Sequence, residues 1–324
     1  MQAPPQEPEH SFIDIGANLT DDMFEGRYNG KAAHESDWED VLTRAWSIGM
    51  KRIIITAGNY EEAQKAIALA RKDGLKTKLS LKERLFCTVG VHPTRCGEFD
   101  KAEEGAEQYL NNLLALIEAN RDKVVAVGEF DYDRLNFCDK ETQKKCFYLL
   151  LEYFEQQFEL AERSGLPLFL HMRAACDDFC DIVSKNRPRF KHGVVHSFTD
   201  SAEDLQKVLA LDLFIGLNGC SLKTEENLAV AAAIPLNRLM LETDAPWCDI
   251  RNTHAGAKHI KTQFQKKDKK KFEKGKWVKG RNEPAAIVQV LEVVAAVKGI
   301  PTNEVSRQVF ENTAQVFFSS GQQV

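Results

Sequence analysis

The chain has 324 residues, 43% of them hydrophobic, which is enough for two ordinary domains or for one large barrel. Its net charge of -5 predicts no general affinity for polyanions. No apolar run approaches the roughly 18 residues of a membrane span. The polar, proline-rich start of the chain predicts no secretory signal peptide.

The cysteines indicate the redox compartment. Eight of them are scattered along the chain, and the close pair Cys176 and Cys180 has no second pair to match. Because a disulfide framework or a zinc finger needs matched spacings, we expect neither. The sequence therefore predicts a reduced protein inside the cell, in the cytoplasm, the nucleus or both.

Short apolar runs alternate with amphipathic segments along the chain. Strands are predicted at residues 11–15, 52–56, 85–91, 124–129, 167–171, 193–197, 213–217 and 239–243. Helices are predicted at residues 35–50, 60–71, 102–120, 141–164, 174–185, 202–211, 224–233, 283–298 and 303–318. Ser36 and Glu39 have the spacing of a capping box at the start of the first helix. A basic, weakly patterned stretch at residues 75–84 precedes the third strand.

Eight strands, each almost entirely apolar, alternate with these helices and predict a parallel sheet covered by helices. This number of units suits a closed TIM (β/α)8 barrel of the α/β class. An open, doubly wound sheet is the alternative, but no Gly-x-Gly-x-x-Gly motif follows the first strand, so its dinucleotide-binding form loses support. We expect residues 11–320 to form a single barrel domain after a flexible tail of residues 1–10.

Four of the predicted strands have a side chain of a type that binds metals at their last residue or next to it, namely Glu129, His171, His196 and Asp244. In a barrel, the carboxyl ends of all strands surround one mouth, so we expect these residues to form one site. Imidazole and carboxylate ligands suit Zn²⁺, Mn²⁺ or Mg²⁺ better than a thiolate-seeking ion. Because a carboxylate bridges the two ions in two-metal hydrolases, Glu129, on a central strand, is the natural bridge.

Each of these residues also has a simpler explanation. A single histidine at a strand end is more often a hydrogen-bonded core residue than a ligand, but the coincidence of several strand-end ligands favours a metal site. His92 either binds a ligand or caps the turn at Pro93. Side chains two residues apart lie on the same face of a strand, so Glu242 would point opposite to Asp244 only if this alternation failed, and we interpret Glu242 as structural.

Six short motifs occur in order along the chain: Gly90-Val91-His92-Pro93, Gly128-Glu129, Leu170-His171-Met172-Arg173, Val195-His196-Ser197-Phe198, Glu242-Thr243-Asp244-Ala245-Pro246-Trp247 and Arg281-Asn282-Glu283-Pro284. Together they resemble the TatD family of metal-dependent deoxyribonucleases over nearly the whole chain. The resemblance implies a TIM barrel, a site for one or two metal ions, and hydrolysis of DNA phosphodiester bonds. It also implies that Glu129 bridges the metals, that His171 and His196 bind one ion, and that Asp244 binds the other.

Two departures from that family's pattern bear on the site. Many members have His-x-His at the end of strand one, whereas this chain has Gly16-Ala17-Asn18, a form that resembles a eukaryotic branch of the family. Without two imidazoles, one metal position keeps Glu129 and Asp244 as its protein ligands, which favours a hard ion such as Mg²⁺. The family's Gly-Glu-x-Gly-Leu-Asp is shortened after Glu129, so we expect a reshaped loop after strand four.

A basic insert, residues 258–281, follows the last strand. It has eleven lysines and arginines against two acids, a charge of +9 that leaves -14 on the rest of the chain. A charge run is usually a solvated loop, and a nuclear-localisation signal at residues 266–271 is a further, weaker interpretation. Beside the mouth of a barrel, however, its lysines would meet phosphates, and Phe264, Phe272 and Trp277 would stack on unpaired bases. We therefore expect DNA as the partner, single-stranded or with frayed ends.

The sequence thus predicts a metal-dependent deoxyribonuclease in which Asp244 and Glu129 are catalytic and Asp244 accepts a proton from a metal-activated water. The candidate substrate-binding residues are Asn18, His92, Arg173 and Asn282. The expected cofactor is one or two divalent ions per chain, Mg²⁺ before Mn²⁺ or Zn²⁺. Two alternatives stay open. One is a metal-dependent amidohydrolase or esterase acting on a small substrate, and the other is a catalytically weakened DNA-binding protein.

Overall fold

Eight parallel strands follow one another in chain order around a barrel. This computed structural model describes residues 9–72, 83–92, 98–99, 102, 104–133 and 154–318. Outside the described residues lie most of the predicted tail, residues 75–82 of the basic stretch and residues 141–153 of the helix predicted for residues 141–164. The strands are Phe12–Ala17 (β1), Met50–Ile55 (β2), Leu85–Val89 (β3), Val124–Asp133 (β4), Leu168–Arg173 (β5), Gly193–His196 (β6), Phe214–Leu217 (β7) and Leu239–Leu241 (β8).

Helices lie outside the strands and bury their apolar faces against the sheet. Among the described residues, no single helix is long and apolar enough to cross a membrane. Two consecutive helices reach the required length and apolar composition together but not singly. They are Pro284–Lys298 and Thr302–Phe317, and the pair is bent by 112°. Residues 154–164 are also helical. The other helices are Trp38–Ser47 (α1), Tyr60–Lys72 (α2), Ala106–Ala119 (α3), Cys176–Asn186 (α4), Ala202–Ala210 (α5), Glu225–Ala233 (α6), Ile287–Lys298 (α7) and Thr302–Phe317 (α8).

The barrel closes between its first and last strands. The backbone N–H of Asp244, just past β8, donates to Gly16 O of β1 at 2.8 Å. The buried Asp14 side chain strengthens this seam: one carboxylate oxygen accepts from the backbone N–H of Thr243 at 3.0 Å and the other from the Thr243 hydroxyl at 2.5 Å. The predicted TIM barrel is therefore confirmed, and a side chain of β1 replaces part of the backbone ladder at the seam.

Two apolar layers hold the barrel together. A large cluster lies between the strands and the helices, and a smaller one fills the barrel interior. The end of α8 belongs to the inner cluster, where Phe318 contacts Phe86 edge-on with ring centroids 4.9 Å apart. Arg52, near the start of β2, lies 4.2 Å over the Phe318 ring. The C-terminal helix therefore covers the amino ends of the strands, and the carboxyl ends are left to form the site.

The predicted capping box at the first helix is wrong. Helix α1 begins at Trp38, and its N-cap residue, Asp37, makes no side-chain hydrogen bond to the helix. The Ser36 hydroxyl donates instead to Phe24 O at 3.2 Å. Asp37 is not available as a cap because both of its carboxylate oxygens accept from the Arg281 guanidinium, at 2.6 and 2.7 Å. A contact across 244 residues thus replaces a local one.

Strand four is longer than expected. It continues past Glu129 to Asp133, and residues 130–133 pair with β5. The reshaped loop predicted directly after Glu129 is therefore an extension of the strand. An irregularity in the register between Val127 and Phe130 accompanies this extension.

Candidate metal centre

A cavity of about 350 Å³ lies at the carboxyl ends of the strands. It brings together the four predicted metal-binding residues with two of the four predicted substrate-binding residues. Arg173 and Asn282 do not line it. The lining residues are Asn18, Gly58, Glu62, His92, Glu129, His171, His196, Asp244 and Trp247.

Adjacent strands place the central side chains at one level. His171 of β5 and His196 of β6 are register partners in the sheet. Glu129 follows Gly128, whose φ of +147° favours glycine. A Cβ atom on Gly128 would lie only 2.1 Å from Phe169 O, so any side chain there would force β4 away from β5. The Gly-Glu motif is therefore needed to bring the Glu129 carboxylate to the two histidines.

The Glu129 carboxylate is the hub of the site. Its Oε1 atom lies 2.8 Å from His196 Nε2, 3.3 Å from His171 Nδ1 and 3.4 Å from His92 Nε2. His171 Nδ1 and His196 Nε2 are themselves 2.9 Å apart. The ligand atoms of His92, Glu129 and His171 all lie within 4.8 Å of one another. His92, which the sequence analysis assigned to the substrate, therefore joins the candidate metal ligands.

The charges in this cluster are strongly coupled. Burial opposes ionisation of Glu129, but His196, His92 and the bond from His171 outweigh it and hold the Glu129 pKa well below its usual range. Burial likewise disfavours the cationic form of His196, yet the Glu129 and Glu242 carboxylates raise the pKa of His196 well above its ordinary value. Burial lowers the pKa of His171 to about 4. A proton thus lies between Glu129 and His196, where a metal cation would compete with it.

This donor set fits a divalent metal. Imidazole nitrogens and a carboxylate oxygen converge at short distances, and two ring nitrogens so close together need a proton or a cation to screen their lone pairs. Deprotonation of His196 on metal binding is the usual exchange of a proton for a metal at such sites. The convergence agrees with the predicted grouping of Glu129, His171 and His196, whose individual roles stay predictions.

Glu242, which the sequence analysis treated as structural, contacts the candidate metal ligand His196. It is fully buried and accepts hydrogen bonds from the Ser197 backbone N–H at 2.6 Å and from the Asn218 side chain at 3.1 Å. Its Oε2 lies 3.3 Å from His196 Nδ1 and so orients that imidazole. Because β8 ends at Leu241, Glu242 lies beyond the strand, and strand alternation does not determine where its side chain points.

Asp244 and Asn18 form the other side of the cavity. The Asn18 amide donates to Asp244 Oδ1 at 2.8 Å, and its oxygen accepts from the Thr56 hydroxyl at 2.7 Å. The Cys248 thiol donates to Asp244 Oδ2 at 3.2 Å. Burial, reinforced by the Glu129 and Glu242 charges, raises the pKa of Asp244 to about 7. Asn18 therefore holds Asp244 in place, and its amide oxygen is already used.

The two remaining predicted substrate ligands lie outside the cavity. Arg173 is the last residue of β5 and is exposed. Asn282 is buried, and its side-chain amide donates to Thr243 O at 3.0 Å while its backbone N–H donates to Pro246 O at 2.9 Å. Asn282 thus braces the turn that carries Asp244.

The basic insert is folded. Its residues Lys266–Lys267 and Trp277–Val278 form a short parallel strand pair. Trp277 is buried and stacks on Phe264 at a centroid distance of 3.9 Å, while Phe272 stacks on His34 at 4.3 Å. The expectation that these three aromatic rings bind bases is wrong for Trp277, because no face of it is accessible. The other two rings are each stacked within the protein.

Comparisons with known proteins agree with this geometry. The chain matches the family described as TatD related DNase over residues 13–318. It is 43% identical to the Deoxyribonuclease Tat-D of Schizosaccharomyces pombe over 309 residues, 93% of this chain and 94% of that protein. It is 30% identical to the 3'-5' ssDNA/RNA exonuclease TatD of Erwinia tasmaniensis, over 94% of this chain and 99% of the relative.

Solved structures agree as well. A hydrolase TatD family protein from Entamoeba histolytica superposes with a TM-score of 0.84 at 37% identity, covering 97% of this chain and all of the other. The family match and the cluster of His92, Glu129 and His171 together indicate divalent metal binding. The resemblance expected from the six motifs is thereby confirmed, and the chain belongs to the TatD-related DNase family.

Proposed function

We propose that this protein is a metal-dependent deoxyribonuclease that hydrolyses the phosphodiester bonds of DNA. The observation that carries the proposal is the convergence of Glu129, three histidines and Asp244 in one cavity of a TatD-family barrel. The names of two relatives, a deoxyribonuclease and a 3'-5' ssDNA/RNA exonuclease, support a nucleic-acid substrate. Single strands or frayed ends are the proposed form, because a cavity of this size does not admit a duplex.

The donor set supports two unequal metal positions. Glu129 with His92, His171 and His196 would hold one divalent ion, and the nitrogen-rich set suits Zn²⁺ or Mn²⁺. Glu129 with Asp244 would hold a second ion through oxygen alone, which suits Mg²⁺. When bound, such ions supply Lewis-acid stabilisation of the phosphate and a more acidic water.

The protein's own side chains complete the reaction. Asp244 would accept the proton of the attacking water as the new oxygen–phosphorus bond forms and the bond from phosphorus to the leaving sugar oxygen breaks. Asn18 fixes the direction of the Asp244 carboxylate. Glu242 fixes the His196 ring. His92, at the edge of the cluster, would complete the ligand set of the first ion.

The scattered cysteines, without the matched spacings of a disulfide framework, support a reducing compartment. We therefore place the protein inside the cell, in the cytoplasm, the nucleus or both.

Glu129→Ala tests the site directly. It removes the carboxylate that all three histidines face, so we expect loss of bound metal, measured by elemental analysis, and loss of metal-dependent hydrolysis of a single-stranded oligonucleotide. Circular dichroism should stay native. Glu118→Ala, on the exposed face of α3, is the matched control and should retain both properties. Native metal content and native rate in Glu129→Ala would contradict the proposed site.

Titration of the native protein with Zn²⁺, Mn²⁺ and Mg²⁺ tests the two positions. We expect one tight and one weak site, because only one position has imidazole ligands. Two equally tight sites would overturn the asymmetry. Metal-dependent turnover of DNA separates the proposal from a DNA-binding protein without catalysis. Turnover of small amides or esters, but not of DNA, would favour the amidohydrolase alternative.

A further inference from the structure

Trp247 is an exposed hydrophobic residue in a cavity whose other lining residues are mostly polar or ionisable. Among the described residues it is the large hydrophobic side chain that stays exposed, with half of its surface (50%) accessible to water. The rest of the cavity is lined by histidines, carboxylates, an amide and a glycine. Exposure of an indole beside so polar a site is unfavourable, since burying an aromatic side chain contributes substantially to stability or binding.

The backbone that carries Trp247 is held firmly. Its own N–H donates to Asp244 O at 2.9 Å and closes a turn. Asn282 binds the same turn twice, from its backbone to Pro246 O at 2.9 Å and from its side chain to Thr243 O at 3.0 Å. The turn also determines where the Asp244 carboxylate lies. The indole is therefore kept at a constant position relative to the candidate base and metal ligands.

The size of the cavity limits which part of a nucleic acid can contact Trp247. A volume of about 350 Å³ is at the lower end of the roughly 300–1,000 Å³ range of small-molecule sites. It admits a phosphodiester group with part of a sugar. The bases attached to that sugar and to its neighbours must then lie at the rim, where Trp247 is. A single indole covers far too little area for a protein interface, which needs about 800 Å² on each partner.

We propose that Trp247 is a substrate-binding residue that stacks on an unpaired base next to the phosphate held in the cavity. The inference rests on the proposed function and adds to it the residue that recognises an unpaired base. Stacking needs a base with a free face, so this residue would favour single strands and frayed ends over paired duplex. It would be tolerant of sequence, because every base has a π-face. The aromatic rings of the basic insert do not compete with Trp247 for bases, because each of them already stacks within the protein.

The test pairs a change in the protein with a change in the substrate. Native protein, Trp247→Phe and Trp247→Leu are assayed on a single-stranded oligonucleotide and on the same backbone built from abasic residues. Stacking is worth roughly 1–3 kcal/mol per base, so native kcat/KM should be about 5–150-fold higher on the intact strand than on the abasic strand. Trp247→Leu should bring this ratio towards one, mainly through KM, and Trp247→Phe should keep most of it.

Two outcomes overturn the inference: a native ratio in Trp247→Leu, or equal losses on both strands, which would mean that the ring only supports the turn. Trp46→Leu, on the outer helix α1, is the matched control and should keep the native ratio. A second measurement does not need turnover. Addition of oligothymidylate should quench tryptophan fluorescence in the native protein and less so in Trp247→Phe. If the protein hydrolyses no DNA with any divalent ion, the proposed function fails, and this quenching still decides the inference. Equal quenching in both proteins would overturn it.

Discussion

Neighbouring groups give the buried acids of the site different protonation states. Glu129 faces three imidazoles and stays ionised, with its pKa well below the usual range. Burial raises the pKa of Asp14 to about 8, since its partners are neutral donors from Thr243 and Gly16. Burial also raises the pKa of Asp244, to about 7. Glu129, which faces the imidazoles, can thus bind a metal cation, and Asp244 is the candidate proton acceptor.

Asp244→Asn tests the proton acceptor. Asparagine keeps the size of the side chain and a hydrogen bond with Asn18, but it has no basic oxygen. We expect kcat for DNA hydrolysis to fall by about 10²–10⁴-fold, the usual cost of losing a general base. Steady-state kinetics at saturating metal separates this loss from weaker metal binding. A native kcat under those conditions would rule out Asp244 as the base.

Asp14→Asn tests the buried acid at the barrel seam. The carboxyl has a pKa of about 8 when folded and an ordinary value of 3.8. The folded state therefore holds a proton that the unfolded state releases, so this group makes stability fall as pH rises from about 4 to about 8. Above that window the penalty is constant. Asp14→Asn should flatten the slope of unfolding free energy against pH.

Urea unfolding of native protein and Asp14→Asn between pH 5 and pH 8.5, in a chelator, measures this slope. Asp181→Asn, the same change on the exposed face of α4, serves as the control. Equal slopes in the native protein and Asp14→Asn would show that Asp14 is not the titrating group.

At the scale of secondary-structure elements, a buried ion cluster connects the end of the basic insert to two helices. Arg281 is fully buried, bonds both oxygens of Asp37 at the start of α1, and bonds Glu283 at 3.0 Å. Arg44 of α1 also donates to Glu283, at 2.7 Å. Glu283 is thereby held by side chains, and the predicted helix from residue 283 is regular only from Ile287. The cluster anchors the insert beside the mouth.

Arg281→Met is expected to destabilise the protein by about 3–5 kcal/mol, because it leaves buried carboxylates without their main partner. Arg163→Met is the matched control, since Arg163 and Glu159 form an exposed helical pair with a 2.9 Å contact. An exposed pair contributes no more than about 1 kcal/mol. Urea denaturation measures both changes. Similar losses in the two variants would show that burial adds nothing at Arg281.

At the scale of the whole molecule, the distribution of charge matters more for nucleic-acid binding than the net charge does. The insert carries +9 and the remaining residues -14. Because the insert follows β8 and precedes the helix that returns along the barrel, its lysines lie on the side of the mouth. Some of them are already paired, such as Lys266 with Asp249 at 2.7 Å and Lys267 with Glu273 at 3.2 Å. Lysines 269–271 are therefore the better choice for a test of steering.

Reversing Lys269, Lys270 and Lys271 to Glu should weaken binding of all single-stranded sequences alike. Each lost phosphate contact lowers the slope of log K against log salt by roughly 0.7, so the slope should fall by up to about 2. Lys51, Lys72 and Lys185 reversed to Glu form the control, since they lie at the start of a strand or the ends of helices, away from the mouth. Binding is measured by fluorescence anisotropy over a range of salt. Equal slopes in both triple variants would mean that the insert is only a solvated surface.

Much of this architecture follows from local sequence pattern. Eight apolar runs of strand length, alternating with amphipathic segments, are enough to predict the barrel, because burial on both faces of a parallel strand demands such runs. The positions of Glu129, His171 and His196 towards the carboxyl ends of their strands follow from the same periodicity. Their shared mouth is a consequence of the parallel order, so the grouping of the candidate ligands was also predictable.

Tertiary structure decided what periodicity does not encode. Glu242, just past the end of β8 at Leu241, orients His196 through a contact between residues 46 apart in the chain. Asp37 pairs with Arg281 and not with its own helix, because a buried guanidinium must be neutralised by carboxylates and the fold brings Asp37 next to it. The aromatic rings of the insert stack within the protein, Trp277 on Phe264 and Phe272 on His34, and Trp247 is left exposed. These outcomes depend on contacts between distant residues and on where a strand stops. Neither the distant contacts nor the ends of the strands leave a local signal in the sequence. The strands and helices themselves do, through the pattern of apolar runs and amphipathic segments.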